Sequence, residues 1–229
     1  MTHHSFSICG VELEARASGA LSLPQARVLC VSDLHLGKSD RIARRSGTLL
    51  PPYETADTLD RLVQEIAQTD PATVICLGDS FDDLEAAADI APAAVSEIAK
   101  MQAGREWIWI EGNHDPGPVA IGGTHLSEFK VGPLMFRHIA TGQPGEITGH
   151  YHPKFGVAGV GPAKACFLYD ETQVILPAFG TFTGGLLATH PVLADLFSAP
   201  PIAVLTGKRA IPVPVTKGPR PRLRGGKFY

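Results

Sequence analysis

Five short blocks of the sequence carry side chains that could bind metal ions. Aspartate, asparagine and histidine recur in them as D-x-H, GD-x-x-D, GNHD, an isolated histidine and GH-x-H. The residues are Asp33 and His35, Asp79 and Asp82, Asn113, His114 and Asp115, His138, and finally His150 and His152. Carboxylate oxygens and neutral imidazole nitrogens suit Mn, Fe and Zn. The inventory is large enough for two metal ions.

The last block, GHYHP at residues 149–153, places two histidines two positions apart. In an extended strand they would point to the same side, so they could share one target. A single histidine in an apolar strand is more often a hydrogen-bonded core residue than a ligand. Each block alone is therefore weak, and their joint order and residue types indicate a site.

Three apolar runs, 27–33, 73–79 and 106–113, each end in one of these polar blocks. They predict buried strands that deliver functional groups at their carboxyl ends, as in open α/β sheets. Between them the apolar spacing predicts a helix over 54–67 and a weaker one over 91–103. After residue 124 the pattern predicts a mostly antiparallel half with a short helix at 190–197. Its strand-like pieces are 130–139, 145–149, 164–169, 172–178, 202–207 and 210–215.

Composition indicates an ordinary globular protein with a basic end. Hydrophobic residues make up 44% and charged residues 19% of the 229 positions. No apolar run approaches the roughly 20 residues that span a bilayer, and no basic-then-apolar leader is present, so we expect a cytoplasmic protein without membrane association. The four cysteines are scattered without a CxxC pair, which predicts reduced, buried thiols.

The net charge of −3 conceals an asymmetry, because seven basic residues and no acidic one follow residue 200. We predict a single domain over 1–215 and a basic, flexible arm over 216–229. The arm could contact DNA backbone, increase solubility or dock a partner. No base-stacking platform is evident beside the basic residues.

In their order the five blocks resemble the signature of the calcineurin-like metallophosphoesterases over residues 33–152. The resemblance implies the α/β fold of that family, a four-layer αββα sandwich of two packed mixed β-sheets flanked by helices. It also implies two divalent metal ions, with Mn expected and Fe or Zn as alternatives. One ion would be held by Asp33, His35 and His152, the other by Asn113, His138 and His150, with Asp79 bridging them.

The resemblance further implies how such a site cleaves a phosphoester. A metal-bridging hydroxide would attack phosphorus in line, with the two ions about 4 Å apart. His114 matches the catalytic histidine that assists the leaving group, and Asp82 matches the carboxylate that orients it.

Three stretches, 34–47, 46–62 and 176–186, resemble the bacterial ligase-associated DNA damage response endonucleases, the PdeM group. This resemblance implies a phosphodiesterase or endonuclease that cleaves single-stranded or damaged DNA in repair. An ATP-dependent DNA ligase, a helicase and an exonuclease would be its partners. Four cations after the first block could grip flanking phosphates or form a solvated basic turn; they are Lys38, Arg41, Arg44 and Arg45.

Alternatives remain at this stage. A small-molecule phosphoesterase acting on cyclic nucleotides or dinucleotides would carry the same blocks, because the signature fixes the reaction class and not the substrate. A scaffold subunit with a vestigial site is a further alternative, although the complete ligand set argues against it. Three glycines of the last stretch could permit a tight corner or a close approach to substrate, and we favour the corner; they are Gly180, Gly184 and Gly185.

Overall fold

The computed structural model describes residues 2–39, 42, 53–115, 117, 120–157 and 161–215. The predicted arm and three of the four cations, Arg41, Arg44 and Arg45, lie outside the described residues. Within them the strands form two sheets. The strands are β1 His3–Ile8, β2 Val11–Arg16, β3 Leu21–Leu23, β4 Val28–Val31, β5 Thr73–Leu77, β6 Glu106–Ile110, β7 Thr124–Leu126, β8 Glu128–Val131, β9 Leu134–Arg137, β10 Glu146–Thr148, β11 Lys154–Phe155, β12 Lys164–Tyr169, β13 Gln173–Ile175, β14 Ile202–Leu205 and β15 Ile211–Pro214.

The first sheet contains β1 to β7 in sequence order. Strands β1 to β4 pair antiparallel, whereas β4 to β7 pair parallel. The three predicted apolar runs are β4, β5 and β6, and they are direct neighbours. Because parallel strands end at the same edge, the polar blocks that follow them must meet there.

The second sheet follows the order β15-β14-β12-β13-β10-β9-β8, with β11 paired to β12. Most of its pairs are antiparallel, as the sequence predicts, but β10 runs parallel to both β9 and β13. The predicted strand 130–139 is divided into β8 and β9 by a turn at Gly132 and Pro133. The parallel pair matters for the site, because His138 follows β9 and His150 follows β10 at the same edge.

Helices flank the two sheets. The helices of the described residues are α1 Glu54–Thr69, α2 Leu84–Ala88, α3 Pro92–Gln102 and α4 Pro191–Ala194, with a 3₁₀ turn at Pro24–Ala26. In α1 the buried Leu59, Leu62 and Ile66 recur at three- and four-residue spacing, which aligns them on one face. Helix α3 begins with Pro92. Proline is tolerated there because the N–H groups of the first helical turn make no hydrogen bond within the helix. Both predicted long helices are confirmed.

Alternation along the strands separates three apolar cores. Ile75 of β5 and Phe136 of β9 belong to the core between the two sheets. Val74, one position away, belongs to the core beneath α1 and α3. Leu168 of β12 belongs to the third core, together with Leu193 of α4, whereas its neighbour Phe167 belongs to the core between the sheets. Three cores between helices, sheet, sheet and helix confirm the predicted four-layer sandwich.

Three of the four cysteines are buried and free, as predicted. Cys9 is instead exposed, because it lies in the turn that joins β1 to β2. Within the described ranges no helix combines the length and the apolar character needed to cross a membrane.

A buried ion pair connects β2 to α1. Arg16 and Glu65 are 8% and 7% exposed, and the Arg16 Nε donates to the Glu65 carboxylate. The same guanidinium donates from Nη2 to Gln68 Oε1 at 2.7 Å. A buried charge is tolerated only when partners of this kind satisfy it.

We expect Glu65→Ala to lower the free energy of unfolding by about 3 kcal/mol, because it removes the nearest carboxylate from a buried guanidinium. Glu97→Ala is the matched control, since Glu97 pairs with Lys100 at 2.9 Å on the surface and should cost less than about 0.5 kcal/mol. Urea unfolding at fixed metal concentration measures both. Equal losses would show that the buried pair has no special weight.

Candidate metal centre

The predicted ligands converge at one edge of the sandwich. The loops after β4, β5, β6, β9 and β10 place their metal-binding atoms in three groups, within each of which the atoms lie no more than 4.8 Å apart. The groups are Asp33, His35 and His152 first, Asp79, His138 and His150 second, and His35, Asp82 and His114 third. The two histidines of GHYHP are thus divided, since His152 belongs to the first group and His150 to the second.

The first group surrounds a carboxylate oxygen that lacks a hydrogen bond. Asp33 Oδ1 is buried and has no hydrogen-bond partner, although His152 Nε2 approaches it to 3.1 Å. The Nε2 atoms of His35 and His152 face each other at 3.4 Å. An orphaned buried acceptor beside two imidazole nitrogens fits a divalent cation of the Mn, Fe or Zn type.

The second group is centred on His138. Its Nε2 atom lies 3.0 Å from Asn113 Oδ1, 3.2 Å from His150 Nδ1 and 3.4 Å from Asp79 Oδ2. Its Nδ1 atom lies 3.0 Å from the carbonyl oxygen of Leu77, which fixes the ring and leaves Nε2 for the centre. The donor set of two oxygens and two imidazoles again fits a divalent cation.

Asp33 and Asp79 join the two groups. His150 of the second group donates its backbone N–H to Asp33 Oδ2 at 3.0 Å. His35 of the first group donates its backbone N–H to the carbonyl oxygen of Asp79 at 2.9 Å. The two groups are therefore adjacent and connected by hydrogen bonds, as in a binuclear centre.

Five of these ligands have a left-handed backbone. The residues with positive φ are Asp33 at 53°, His35 at 46°, Asp79 at 46°, His150 at 71° and His152 at 46°. Each such non-glycine conformation costs on the order of 1–3 kcal/mol and persists only where its surroundings enforce it. Their concentration in two ligand groups marks this edge as functional.

Glycines immediately precede three of the ligand blocks, and each allows a close approach. A Cβ on Gly149 would lie 1.8 Å from Ser32 Oγ, and one on Gly112 would lie 2.2 Å from both the backbone N and Oδ1 of Asp79. Gly78 has φ +76°, and a Cβ there would meet His138 Nδ1 at 2.3 Å. The close approach at these glycines was not predicted, although their repetition before Asp79, Asn113 and His150 was the available signal.

The electrostatics suit cation binding. Burial opposes ionisation of Asp33, but its contacts with His152 and then His138 outweigh burial and lower the pKa of this carboxyl. The pKa of Asp79 is likewise lowered, by His138 against the effect of burial. Burial and the neighbouring His138 lower the pKa of His150. At neutral pH the centre thus offers ionised carboxylates and a neutral imidazole, the protonation states that metals require.

The pKa of His138 moves the opposite way. Burial lowers it, but Asp79 and Asp33 outweigh burial and raise it above its usual value. The two carboxylates therefore attract positive charge to this position, which a divalent cation would also supply.

Asp82 contacts two histidines in different ways. The resemblance implies that the carboxylate of Asp82 orients His114. In the structure, His114 Nδ1 instead donates to the backbone carbonyl of Asp82 at 2.8 Å. The carboxylate is turned to His35, with Oδ1 at 2.9 Å from Nδ1, and still lies within 4.8 Å of a His114 nitrogen. Lys38 Nζ is 3.8 Å from the same oxygen, which places this predicted cation beside the centre.

Asp115, the last residue of the GNHD block, positions the backbone of two loops. Its Oδ2 accepts the backbone N–H groups of Ser80 at 2.8 Å and Phe81 at 3.1 Å. Its Oδ1 accepts from Gly112 at 3.1 Å. Burial and then the charge of Asp79 raise the pKa of Asp115 to about 6. The carboxylate joins the loop after β5 to the loop after β6.

The glycine-rich stretch contributes a corner at the rim of the centre. Gly180 donates its N–H to the carbonyl oxygen of Asp33 at 3.1 Å, and a Cβ there would lie 2.1 Å from the carbonyl oxygen of Leu34. A Cβ on Gly185 would lie 2.0 Å from the carbonyl oxygen of His152, whereas Gly184 has nothing within 4 Å. The favoured structural role therefore applies to Gly180 and Gly185.

Fold and site together define a candidate binuclear metal centre on an αββα sandwich. The sequence profile described as calcineurin-like phosphoesterase matches residues 26–219, and the chain belongs to this family. The family recognition made from the five blocks is thereby confirmed. The protein is a hydrolase of phosphoester bonds, and its ligand groups correspond to the divalent metals that such enzymes use.

Solved structures similar to the chain include a nuclease and a phosphoesterase. The crystal structure of Pseudomonas putida nuclease MPE aligns with a TM-score of 0.71 at 29% identity, covering 92% of this chain and 100% of that one. Yfce, a phosphoesterase from E. coli, aligns with a TM-score of 0.37 at 12% identity, covering 69% and 83%. No curated protein sequence matches the chain.

We expect His152→Ala to weaken the ion held with Asp33 and His35, and His150→Ala the ion held with Asn113 and His138, each by at least about tenfold. Calorimetric titration of the metal-free protein, followed by metal analysis, distinguishes the two ions. His3→Ala is the control, because His3 lies on the edge strand β1 with 41% of its side chain exposed. If either site variant bound both ions at full affinity, the division of the two histidines would be wrong.

We expect Gly112→Ala and Gly149→Ala to abolish metal binding, because the added methyl groups overlap Asp79 and Ser32 respectively. Gly117→Ala is the matched control, since its Cβ would meet no atom of the described residues within 4 Å. Metal content after gel filtration and near-UV circular dichroism report the outcome. Full metal occupancy in both site variants would show that the loops can separate without loss.

Proposed function

We propose that the protein is a two-metal-dependent phosphodiesterase and endonuclease that cleaves DNA, with manganese as its metal and Fe or Zn as alternatives. The observation that carries the proposal is the pair of adjoining ligand groups joined through Asp33 and Asp79. Family membership supplies the phosphoester chemistry. Similarity to a nuclease along 92% of the chain supports a nucleic acid as the substrate.

In this proposal Asp33, His35 and His152 hold one ion, Asn113, His138 and His150 hold the other, and Asp79 lies between them. Two divalent ions, when bound, lower the pKa of a water molecule and neutralise phosphate oxygens. The Asp82 carboxylate orients the ring of His35, because its contact with Nδ1 of that ring turns Nε2 toward the other ligands of the first group.

His114 is the proposed proton donor to the leaving oxygen. Its backbone N–H donates to Asp79 Oδ1 at 2.8 Å, which fixes the residue relative to the ligands. Its Nδ1 atom is engaged by the carbonyl oxygen of Asp82. Because Nδ1 keeps its hydrogen for that carbonyl, Nε2 is the nitrogen from which the protonated ring would donate to the leaving oxygen.

An accessible site supports a polymeric substrate. Asp33 and Asp79 are buried, but the ligands at the rim are partly exposed, including His152 with 16% of its side chain accessible. The described strands and helices all belong to the sandwich, and none of them forms a separate cap. Partly exposed ligands at the rim favour DNA over cyclic nucleotides or dinucleotides, which small-molecule sites usually enclose.

We further propose a role in bacterial DNA repair on single-stranded or damaged DNA, with an ATP-dependent ligase, a helicase and an exonuclease as partners. Lys38 beside Asp82 supports phosphate binding next to the centre. We propose the same phosphate-binding role for four further parts of the chain that lie outside the described residues: Arg41, Arg44, Arg45 and the basic arm over 216–229.

With manganese the wild-type protein should cleave single-stranded DNA, and chelation should abolish cleavage. We expect Asp79→Asn and His114→Ala to lower kcat at least about 100-fold, and His114→Ala to keep its metal. The assay compares single-stranded DNA, duplex DNA and a nitrophenyl phosphodiester, with His3→Ala as control. Hydrolysis of the small ester without cleavage of any DNA would exclude the nuclease function and favour the small-molecule alternative.

A further inference from the structure

An exposed pair of aromatic rings lies beside the candidate centre. Tyr53 is 52% exposed and Phe182 is 39% exposed. Their ring centroids are 5.5 Å apart, with the planes inclined at 58°. Two large aromatic side chains that contact each other on the surface bury little area, so stability of the fold does not account for them.

The backbone of Phe182 strengthens this point. Its φ is 62°, a left-handed conformation that is uncommon for a bulky residue. In a core residue the burial of the ring could offset such strain, but this ring remains exposed. Strain held at an exposed aromatic residue is a reason to look for a ligand.

The loop that carries Phe182 is attached at both ends to the first ligand group. Gly180 donates to the carbonyl oxygen of Asp33 at 3.1 Å, and Gly185 lies against the carbonyl oxygen of His152. Thr183 Oγ1 closes a turn by donating to the carbonyl oxygen of Gly180 at 3.1 Å. Two residues span at most about 7 Å, so Phe182 lies close to the residue that contacts Asp33.

The two residues after Tyr53 contact the loop that follows the first ligands. The buried carboxylate of Glu54 accepts from the Ser39 hydroxyl at 2.6 Å and from its N–H at 3.1 Å. Thr55 Oγ1 accepts from the N–H of Gly37 at 3.0 Å. These contacts attach the start of α1 to the loop that carries His35.

The first turns of α1 also hold the Phe182 loop. Arg61 Nη2 donates to the carbonyl oxygen of Phe179 at 2.6 Å and to Thr181 Oγ1 at 3.0 Å. Thr181 in turn donates its N–H to Thr58 Oγ1 at 3.1 Å. Thr181, next to Phe182, is therefore held by α1, the helix that begins directly after Tyr53, and residues held in this way lower the entropic cost of binding.

We propose that Tyr53 and Phe182 form a stacking platform for an unpaired base of a nucleic-acid substrate, on the side of the first ligand group. The inference rests on the proposed nuclease function and adds a base-binding site to it. Aromatic faces stack any base irrespective of sequence. Bases inside a duplex are already covered on both faces, so a platform of this kind selects unpaired nucleotides. The sequence does not reveal this platform, because Tyr53 and Phe182 are far apart along the chain and only the fold brings their rings together.

Phe182→Ala tests the platform, with Phe182→Trp as the variant that keeps an aromatic face. Ile211→Ala is the matched control, because Ile211 is 46% exposed on the edge strand β15. The substrates are a single-stranded oligonucleotide and an abasic strand of the same length, which keeps the phosphates and lacks the bases. The readout is the ratio of kcat/KM on the two strands.

We expect Phe182→Ala to lower this ratio about 5- to 150-fold, whereas Phe182→Trp and Ile211→Ala keep it near the wild-type value. Tyr53→Ala should lower it in the same direction. Quenching of a 2-aminopurine base on binding to the wild-type protein, lost in Phe182→Ala, would give the same result without catalysis.

Two results would overturn the inference, and they differ in what they imply. If the wild-type protein cleaved the nitrophenyl phosphodiester but neither strand, the proposed function and the platform would both fail. If it cleaved DNA and Phe182→Ala left the ratio unchanged, the platform alone would fail. In the second case the aromatic pair would be better explained as a contact surface for another protein.

Discussion

Two carboxylates buried at the junction of the sheets determine much of the surrounding architecture. Asp33 is fully buried and Asp79 is 2% exposed, and an ionised carboxylate without partners costs several kcal/mol in such a place. One oxygen of Asp33, Oδ2, accepts from the Ser32 hydroxyl of its own loop and from the N–H of His150, which follows a strand of the second sheet, whereas Oδ1 is left for a cation. The two sheets must therefore pack in the one arrangement that brings these donors to the acids.

That arrangement is achieved mainly by the backbone. Loops from opposite sheets approach more closely than side chains would allow, as at Gly149 against Ser32 and Gly78 against His138. Left-handed turns at five ligands then direct carboxylates and imidazoles toward a common point. Because the backbone sets these directions, the fold itself holds the donor atoms in position.

Local sequence patterns predicted the strands and helices that carry strong periodicity, including β4, β5, β6 and α1. The ligand residues were expected from the resemblance to a family, and the structure places most of them in adjoining groups. What escaped prediction depends on distant pairing. The hairpin of β1 and β2 was not predicted, because β1 begins with two polar histidines, although the apolar and polar residues of β2 alternate over Val11–Arg16 and were an available signal. Strand β3 has only three residues, too few for a clear pattern. The parallel pairing of β10 with β9 and β13 joins segments from three parts of the chain. The contacts of Asp82 depend on how one turn directs its carbonyl and carboxylate, which residue type cannot reveal.

The distribution of the ligands has a thermodynamic consequence. His35 and His152 are 117 positions apart in sequence, yet their Nε2 atoms face each other across the junction of the two sheets. A cation bound between them would act as a crosslink that closes a loop of this length and removes conformations from the unfolded chain. Metal loading and folding would then be linked equilibria. A cell short of the metal would lose folded protein as well as catalytic activity.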